Sequence, residues 1–249
     1  MTQVLGIVKE GKLIPQELWV KFVNSLENDF DGLETNNERA KRELADAIVQ
    51  SVKKRITPNF GILFSGGVDS SLIAFVAKQL KCNFTCYTVG IENSDDIAWA
   101  QKVANDYGFN FKYKMLNLDE LQNVVKSVVK LLNDTDIVKV SVGSVLYAAG
   151  KLALADGNNI LFGGLGSEEI FAGYQRHEAA LKANDFQALH KECWNGLKNM
   201  HSRDLIRDFA IAKSLGLDLR TPFMDKDLIK VAMNVHPMLK LDTSNKKVI

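Results

Sequence analysis

The sequence predicts an α/β fold: a doubly wound, Rossmann-like parallel sheet with a mainly helical C-terminal part. Short apolar runs at 60–64, 84–89, 111–115 and 159–163 alternate with longer segments of helical spacing, the rhythm of a parallel sheet covered on both faces. The first run stops at Ser65-Gly66-Gly67, a strand-to-helix turn that glycine makes tight. Hydrophobic residues make up 46% and charged residues 24% of the 249, with 17 Gly and 4 Pro. That composition suits one large core-forming domain and fits neither disordered nor fibrous chains.

Residues 1–55 read as an N-terminal extension: a hairpin around Glu10-Gly11, an amphipathic piece over 16–26, and a helix over 36–55. In that helix Leu44, Ile48 and Val52 share a face, and Thr57-Pro58 stops it. The main domain is expected over 56–249. Its first strand leads to a helix through Leu72, Val76 and Leu80, and a strand over 81–89 leads to a helix over 94–107. A strand over 111–115 precedes a helix over 118–132, and after polar residues 133–136 a buried helix over 141–155 precedes the strand over 159–163. From about Glu168 the pattern is mainly helical. A helical layer is expected beside the carboxyl edge of the sheet, where such sheets bind ligands.

Lys plus Arg number 31 against 30 Asp plus Glu, with the signs interspersed, so no nucleic-acid partner is expected. No uncharged stretch reaches the ~18 apolar residues of a membrane span, and no signal-peptide core opens the chain. A cytoplasmic protein without a membrane partner is the expectation. Cys82, Cys86 and Cys193 show no zinc spacing, and the first two are expected on one core face of the strand over 81–89. His177, His190, His201 and His236 show no ligand spacing and are expected at the surface or at helix ends.

The segment Ser65-Gly66-Gly67-Val68-Asp69-Ser70-Ser71 carries the chemistry. Between a core strand and a helix, backbone N–H groups and the helix dipole hold phosphate oxygens, and the three serines add hydroxyls. The loop has no Lys, unlike the loops that grip β and γ phosphates. Asp69 would repel a phosphate unless magnesium lies between them, since a carboxylate plus phosphate oxygens is a usual magnesium ligand set. An ordinary capped turn is the competing reading.

This run resembles the pyrophosphate-loop signature of the ATP pyrophosphatase superfamily, which has the adenine nucleotide alpha hydrolase-like fold. Its members include GMP, NAD, argininosuccinate and asparagine synthetases. Gly163-Gly164-Leu165-Gly166-Ser167-Glu168-Glu169-Ile170-Phe171-Ala172-Gly173-Tyr174 is similar to the asparagine synthetase segment SGEGSDELFGGY. Asp218-Leu219-Arg220-Thr221-Pro222-Phe223-Met224-Asp225 is similar to that family's E-x-R-x-P-F-L-D, and Val89-Gly90 with residues 100–108 resemble its second strand and helix. The resemblance spans roughly residues 56–249.

The resemblance implies ATP and Mg2+ as ligands. Ser65, Gly66, Gly67, Val68, Asp69, Ser70 and Ser71 would form the ATP loop, with Leu63, Val89, Gly163 and Gly164 lining the adenosine. Asp69 and Glu168 would be the magnesium carboxylates, although Glu168 and Glu169 also read as charges at a helix N-terminus. Lys246 or Lys247 would be the catalytic lysine of a K-x-x-x-R-like helix, the register between them staying open. Arg220 and Asp225 read as an internal ion pair at least as readily as substrate contacts.

The implied activity is an AMP- and pyrophosphate-forming amide ligase. It would activate a small-molecule carboxylate as an acyl-adenylate for attack by ammonia or an amine, with a separate glutaminase as a partner. Three departures stand against a literal asparagine synthetase. Thr2 stands where the amidotransferase nucleophile would be Cys, so glutamine hydrolysis by this chain is not expected. Leu165 replaces a glutamate of the chemical step. Ser141 stands at the arginine position of a D-x-x-x-x-R segment that holds the amino-acid substrate. They motivate an alternative, a catalytically impaired ATP-binding regulatory or scaffold protein of the same fold. A tRNA-modifying pyrophosphatase is a third reading, disfavoured by the charge balance and by the lack of a paired reactive-cysteine motif.

Overall fold

The computed structural model describes residues 8–9, 12–92, 94–174, 177 and 185–241. They fall into two compact units, one of residues 55–164 and 203–220, the other drawn from residues up to 54, 165–202 and 221 onward.

The first unit holds a five-stranded sheet: β3 (Asn59–Leu63), β4 (Asn83–Ile91), β5 (Phe111–Leu116), β6 (Ile160–Phe162) and β7 (Asp218–Arg220). Every pairing is parallel and the spatial order is β5-β4-β3-β6-β7. The strand order therefore reverses between β3 and β6, and the crevice outside their carboxyl ends is where sheets of this kind bind ligands. The helices fall into two groups. α3 (Val68–Gln79) and α4 (Asp95–Tyr107) pack on strands β3 to β5, while α5 (Leu118–Leu132), α6 (Ile137–Ala155) and α9 (Ile206–Leu215) pack together.

Side-chain alternation sorts the core into two layers. Phe60, Phe84 and Phe162 stack on one face, and Tyr87, Leu161 and Leu219 join Val128, Leu146, Ala153 and Ile211 on the other. Gly61 is required between them, because a Cβ there would sit 2.5 Å from Leu161 and 2.6 Å from Tyr87. Asp136 caps α6 by accepting the Lys139 N–H at 2.8 Å, so the helix starts four residues earlier than the apolar spacing predicts. By length and composition α6 could cross a bilayer, although Lys139 and Lys151 interrupt it; its inner face is packed into the sheet and α9.

The second unit holds the hairpin of β1 (Val8–Lys9) and β2 (Lys12–Leu13), then α1 (Gln16–Asn24), α2 (Asn37–Lys53), α7 (Ser167–Ile170), α8 (Phe186–Met200) and α10 (Lys226–Asn234). Trp19 of α1 is fully buried and donates its indole N–H to Leu197 O at 2.8 Å. Asn36 caps α2, and Lys54 after its end bridges Asp225 and Asp227 at 3.2 and 2.7 Å.

Three expectations need correction. Cys82 is not on the strand face with buried Cys86: its N–H closes the turn after α3 on Ala77 O, and β4 begins only at Asn83. His177 and His190 are buried, not at the surface, whereas His201 stands at a helix end as expected, capping α8, with its Nε2 2.7 Å from Ile14 O. The strand β7 was not expected at all, because three residues are too few to show a period.

Candidate functional site

The segment after β3 is fixed from both sides. Phe64 extends the sheet by donating its N–H to Tyr87 O at 2.9 Å, and its carbonyl accepts the Thr88 hydroxyl. Gly66 has φ +71°, a left-handed value that glycine adopts at no steric cost. A Cβ there would lie 3.0 Å from Ala100 Cα and 2.9 Å from the Trp99 ring. Trp99 in turn donates its indole N–H to Gly66 O at 3.1 Å. This clamp by α4 was missed in the sequence, where Trp99 carries no recognisable spacing.

The hydroxyls divide their work. Ser70 is buried; its Oγ donates to Gly67 O at 3.2 Å and accepts the Ser65 N–H at 3.3 Å, so it holds the loop's shape. Ser65 Oγ accepts the Gly67 N–H at 3.2 Å and stays at the surface. The buried Ser71 Oγ has no partner among the described residues, and burying an unpaired hydroxyl is costly. Such a group fits an anion-binding loop better than a plain turn. Gly67 is the N-cap of α3 without a side-chain cap, leaving the first N–H groups of a twelve-residue helix open to an acceptor.

The second segment meets the first at the switch point. Gly163 follows β6, donates its N–H to Arg220 O at 2.9 Å, and has Leu63 and Leu219 at 3.6 Å from where a Cβ would be. A Cβ on Gly164 would sit 3.1 Å from Asp69 Cβ, so this glycine makes room for the half-buried Asp69. Leu63 and Val89 meet in one cluster with Leu116, Ala148 and Ala149. The structure thus brings together Leu63, Asp69, Val89, Gly163 and Gly164 around the loop. Glycine and hydroxyl donors for phosphate, plus one carboxylate for a phosphate-bound cation, fit ATP and magnesium.

Most of the remaining residues belong to the other unit. Gly166 has φ +97°, and a Cβ there would fall 2.5 Å from Met224 Sδ, which explains why the glycine-rich segment and the Pro-Phe-Met segment go together. Glu168 is half-buried on the first turn of α7, while buried Glu169 accepts the Tyr174 hydroxyl at 2.7 Å. Arg220 lies in the first unit, where its partners are near. It chelates Asp218 at 2.8 and 3.1 Å and donates to Arg55 O. Asp225 caps α10 and binds Lys54. Lys246 and Lys247 lie outside the described residues.

The switch-point strand order and the glycine loop define a doubly wound domain of nucleotide-binding type. A family model described as asparagine synthase matches residues 43–188 and 182–249, and the chain belongs to that family. It is 35% identical over 81% of its length to a Methanocaldococcus jannaschii protein named among the glutamine-hydrolyzing asparagine synthetases, covering 38% of that protein. It is 28% identical over 86% of its length to asparagine synthetase B (glutamine-hydrolyzing) of Escherichia coli, covering 41% of it. The chain thus spans about two-fifths of the curated relatives it matches. Among solved structures it is similar to an NH3-dependent NAD synthetase from Campylobacter jejuni, at 16% identity and TM-score 0.41, over 70% of this chain and 96% of that one.

Proposed function

We propose that the chain is the ligase part of an ATP-dependent, AMP- and pyrophosphate-forming amide synthesis. The observation that carries this reading is the Ser65–Ser71 loop, rigidly clamped at the switch point with Asp69 seated against Gly164, in a chain of the asparagine synthase family. A carboxylate oxygen of the acceptor attacks the α phosphorus of ATP; the bond from that phosphorus to the bridging oxygen breaks, and pyrophosphate leaves. Ammonia or an amine then attacks the acyl carbon, AMP departs with the carboxyl oxygen, and the nitrogen loses a proton.

The loop N–H groups and Ser71 offset charge gathering on the pyrophosphate from fixed positions, the arrangement that contributes most to catalysis. Magnesium, when bound, supplies further positive charge there. Asp69 and Glu168 are its proposed ligands, and Lys246 or Lys247 the proposed lysine. A separate glutaminase is the proposed source of ammonia. A nucleotide-consuming enzyme with a near-neutral surface suits the cytoplasm, with no nucleic-acid or membrane partner.

Incubation with ATP, magnesium, ammonium and a panel of carboxylic acids should release AMP and pyrophosphate in equal amounts. Leu165, at a position where an acid or base would serve the chemical step, favours a second reading as an ATP-binding regulatory protein. ATP binding by calorimetry with no pyrophosphate from any acid would establish that second reading in place of the first.

A further inference from the structure

The Gly66–Gly67 peptide makes two hydrogen bonds that point opposite ways, as the two sides of a trans peptide must. Gly66 O accepts the Trp99 indole N–H at 3.1 Å on the side of α4, and the Gly67 N–H donates to Ser65 Oγ at 3.2 Å on the other. Turning this peptide over would break both, and the loop would present a carbonyl oxygen where it now presents a donor. Gly66 has φ +71° and Gly67 φ −71°. A turned peptide carries residue 67 to positive φ, a value that glycine adopts at no steric cost, and residue 67 is glycine. The backbone by itself therefore permits both orientations, and a contact from outside the loop has to choose.

Trp99 makes that contact. It is 53% exposed, so core burial does not account for a tryptophan there. Lys102, itself paired with Asp106 at 2.7 Å, lies 5.9 Å from the centre of the indole and restrains it by a cation–π contact. The consequence reaches Ser65, which is exposed. Its Oγ accepts the Gly67 N–H, while Ser70 Oγ, which already donates to Gly67 O at 3.2 Å, stands 3.4 Å away, long for a bond between hydroxyls. The Ser65 proton is left for a ligand, and accepting one hydrogen bond strengthens the one a hydroxyl donates.

We propose that Trp99 is a positioning residue of the loop: by holding Gly66 O it fixes the Gly66–Gly67 peptide in the orientation that makes Ser65 a donor to the phosphate tail of a nucleotide. The inference rests on the nucleotide-binding part of the ligase reading, yet it concerns binding and is tested without turnover. The whole chain is titrated, in magnesium, with an ATP analogue that cannot be cleaved between the α and β phosphates. It is titrated separately with adenosine, which offers the base and sugar without the tail, and both are followed by saturation-transfer NMR.

Trp99→Phe keeps a ring against Gly66 and removes the indole N–H. It should weaken the analogue about threefold to tenfold, the range that one hydrogen bond commands, and leave adenosine unchanged. Equal loss for both ligands would make Trp99 a purely structural residue and overturn the inference, as would an analogue affinity that Trp99→Phe leaves intact. Ser65→Ala supplies a second arm: combined with Trp99→Phe it should cost little more than Ser65→Ala alone, because the two residues act through one peptide. Fully additive losses would show that Trp99 does not work through Ser65. The Trp99 indole N–H resonance, identified by its absence from the Trp99→Phe spectrum, should stay protected from solvent exchange when the analogue binds; loss of that protection also overturns the inference. If the unaltered protein binds the analogue no better than adenosine, the loop takes no phosphate and both readings fall. If the binding losses appear as expected but no acid ever yields pyrophosphate, the ligase reading fails and the role of Trp99 stands.

Discussion

Lys240 places an ammonium group where water cannot reach it. The residue is 1% exposed, and Met233 Sδ at 3.9 Å is its nearest hydrogen-bond acceptor among the described residues. Burial pulls its pKa down to about 8 from 10.5. Between those values the unfolded chain holds the proton and the folded chain has lost it, so this group makes stability rise with pH there. Below the folded value the folded protein carries the whole cost of a buried charge. Lys240→Met should therefore stabilise the protein at pH 7 by on the order of 1–3 kcal/mol. The gain should fade as unfolding is measured at pH values rising towards 10.5; an equal gain at both ends would show that packing, not charge, is responsible.

Elements are held to one another at two exacting points. Gly66 is pressed against Ala100 and Trp99 in a left-handed conformation. Gly66→Ala should cost about 1–2 kcal/mol in urea unfolding, since an L residue is strained there. It should also weaken ATP at least severalfold, because the loop must shift. On α9 the buried guanidinium of Arg207 binds Asp208 at 2.7 Å and Asp204 at 3.1 Å. Burial raises the pKa of Asp208 against the opposing pull of Arg207. Arg207→Leu should cost about 3–5 kcal/mol by stranding the buried carboxyl of Asp208, Asp204 keeping Arg203 at 2.6 Å, and replacing Arg207 and Asp208 together by apolar residues should recover most of that. A double variant as unstable as the single one would argue against the ion pair as the cause. Helix limits were readable from the sequence where apolar spacing ran throughout, as in α4 and α5. The start of α6 was not, because its first residues, Ile137 and Val138, are exposed and break the expected pattern.

At the scale of the whole molecule, ligand binding and folding are linked. ATP with magnesium at a hundred times its dissociation constant should add about 2.7 kcal/mol to stability, visible as a rise in melting temperature. Asp69 makes the sign of this effect depend on the cation. With magnesium, Asp69→Asn should reduce the shift, having lost a ligand; without magnesium it should increase it, having lost a repulsion. The same direction of change in both conditions would remove Asp69 from the cation site. Charge balance also conceals a site: 31 positive against 30 negative residues give no hint of the proposed anion loop, which is built mostly from backbone.

The sequence alone determined the alternation of strands and helices and the position of the loop, because hydrophobic period, glycine turns and helix starts are local and act within a few residues. It also supplied the family likeness, through three short segments. Only tertiary structure decided that β3 and β6 are neighbours, that Trp99 clamps Gly66, that Arg220 donates to Arg55 O, and that His177 and His190 are buried. These are contacts between residues far apart in the chain, set by strand order and packing, and no local pattern encodes which of many chemically adequate partners will lie within reach.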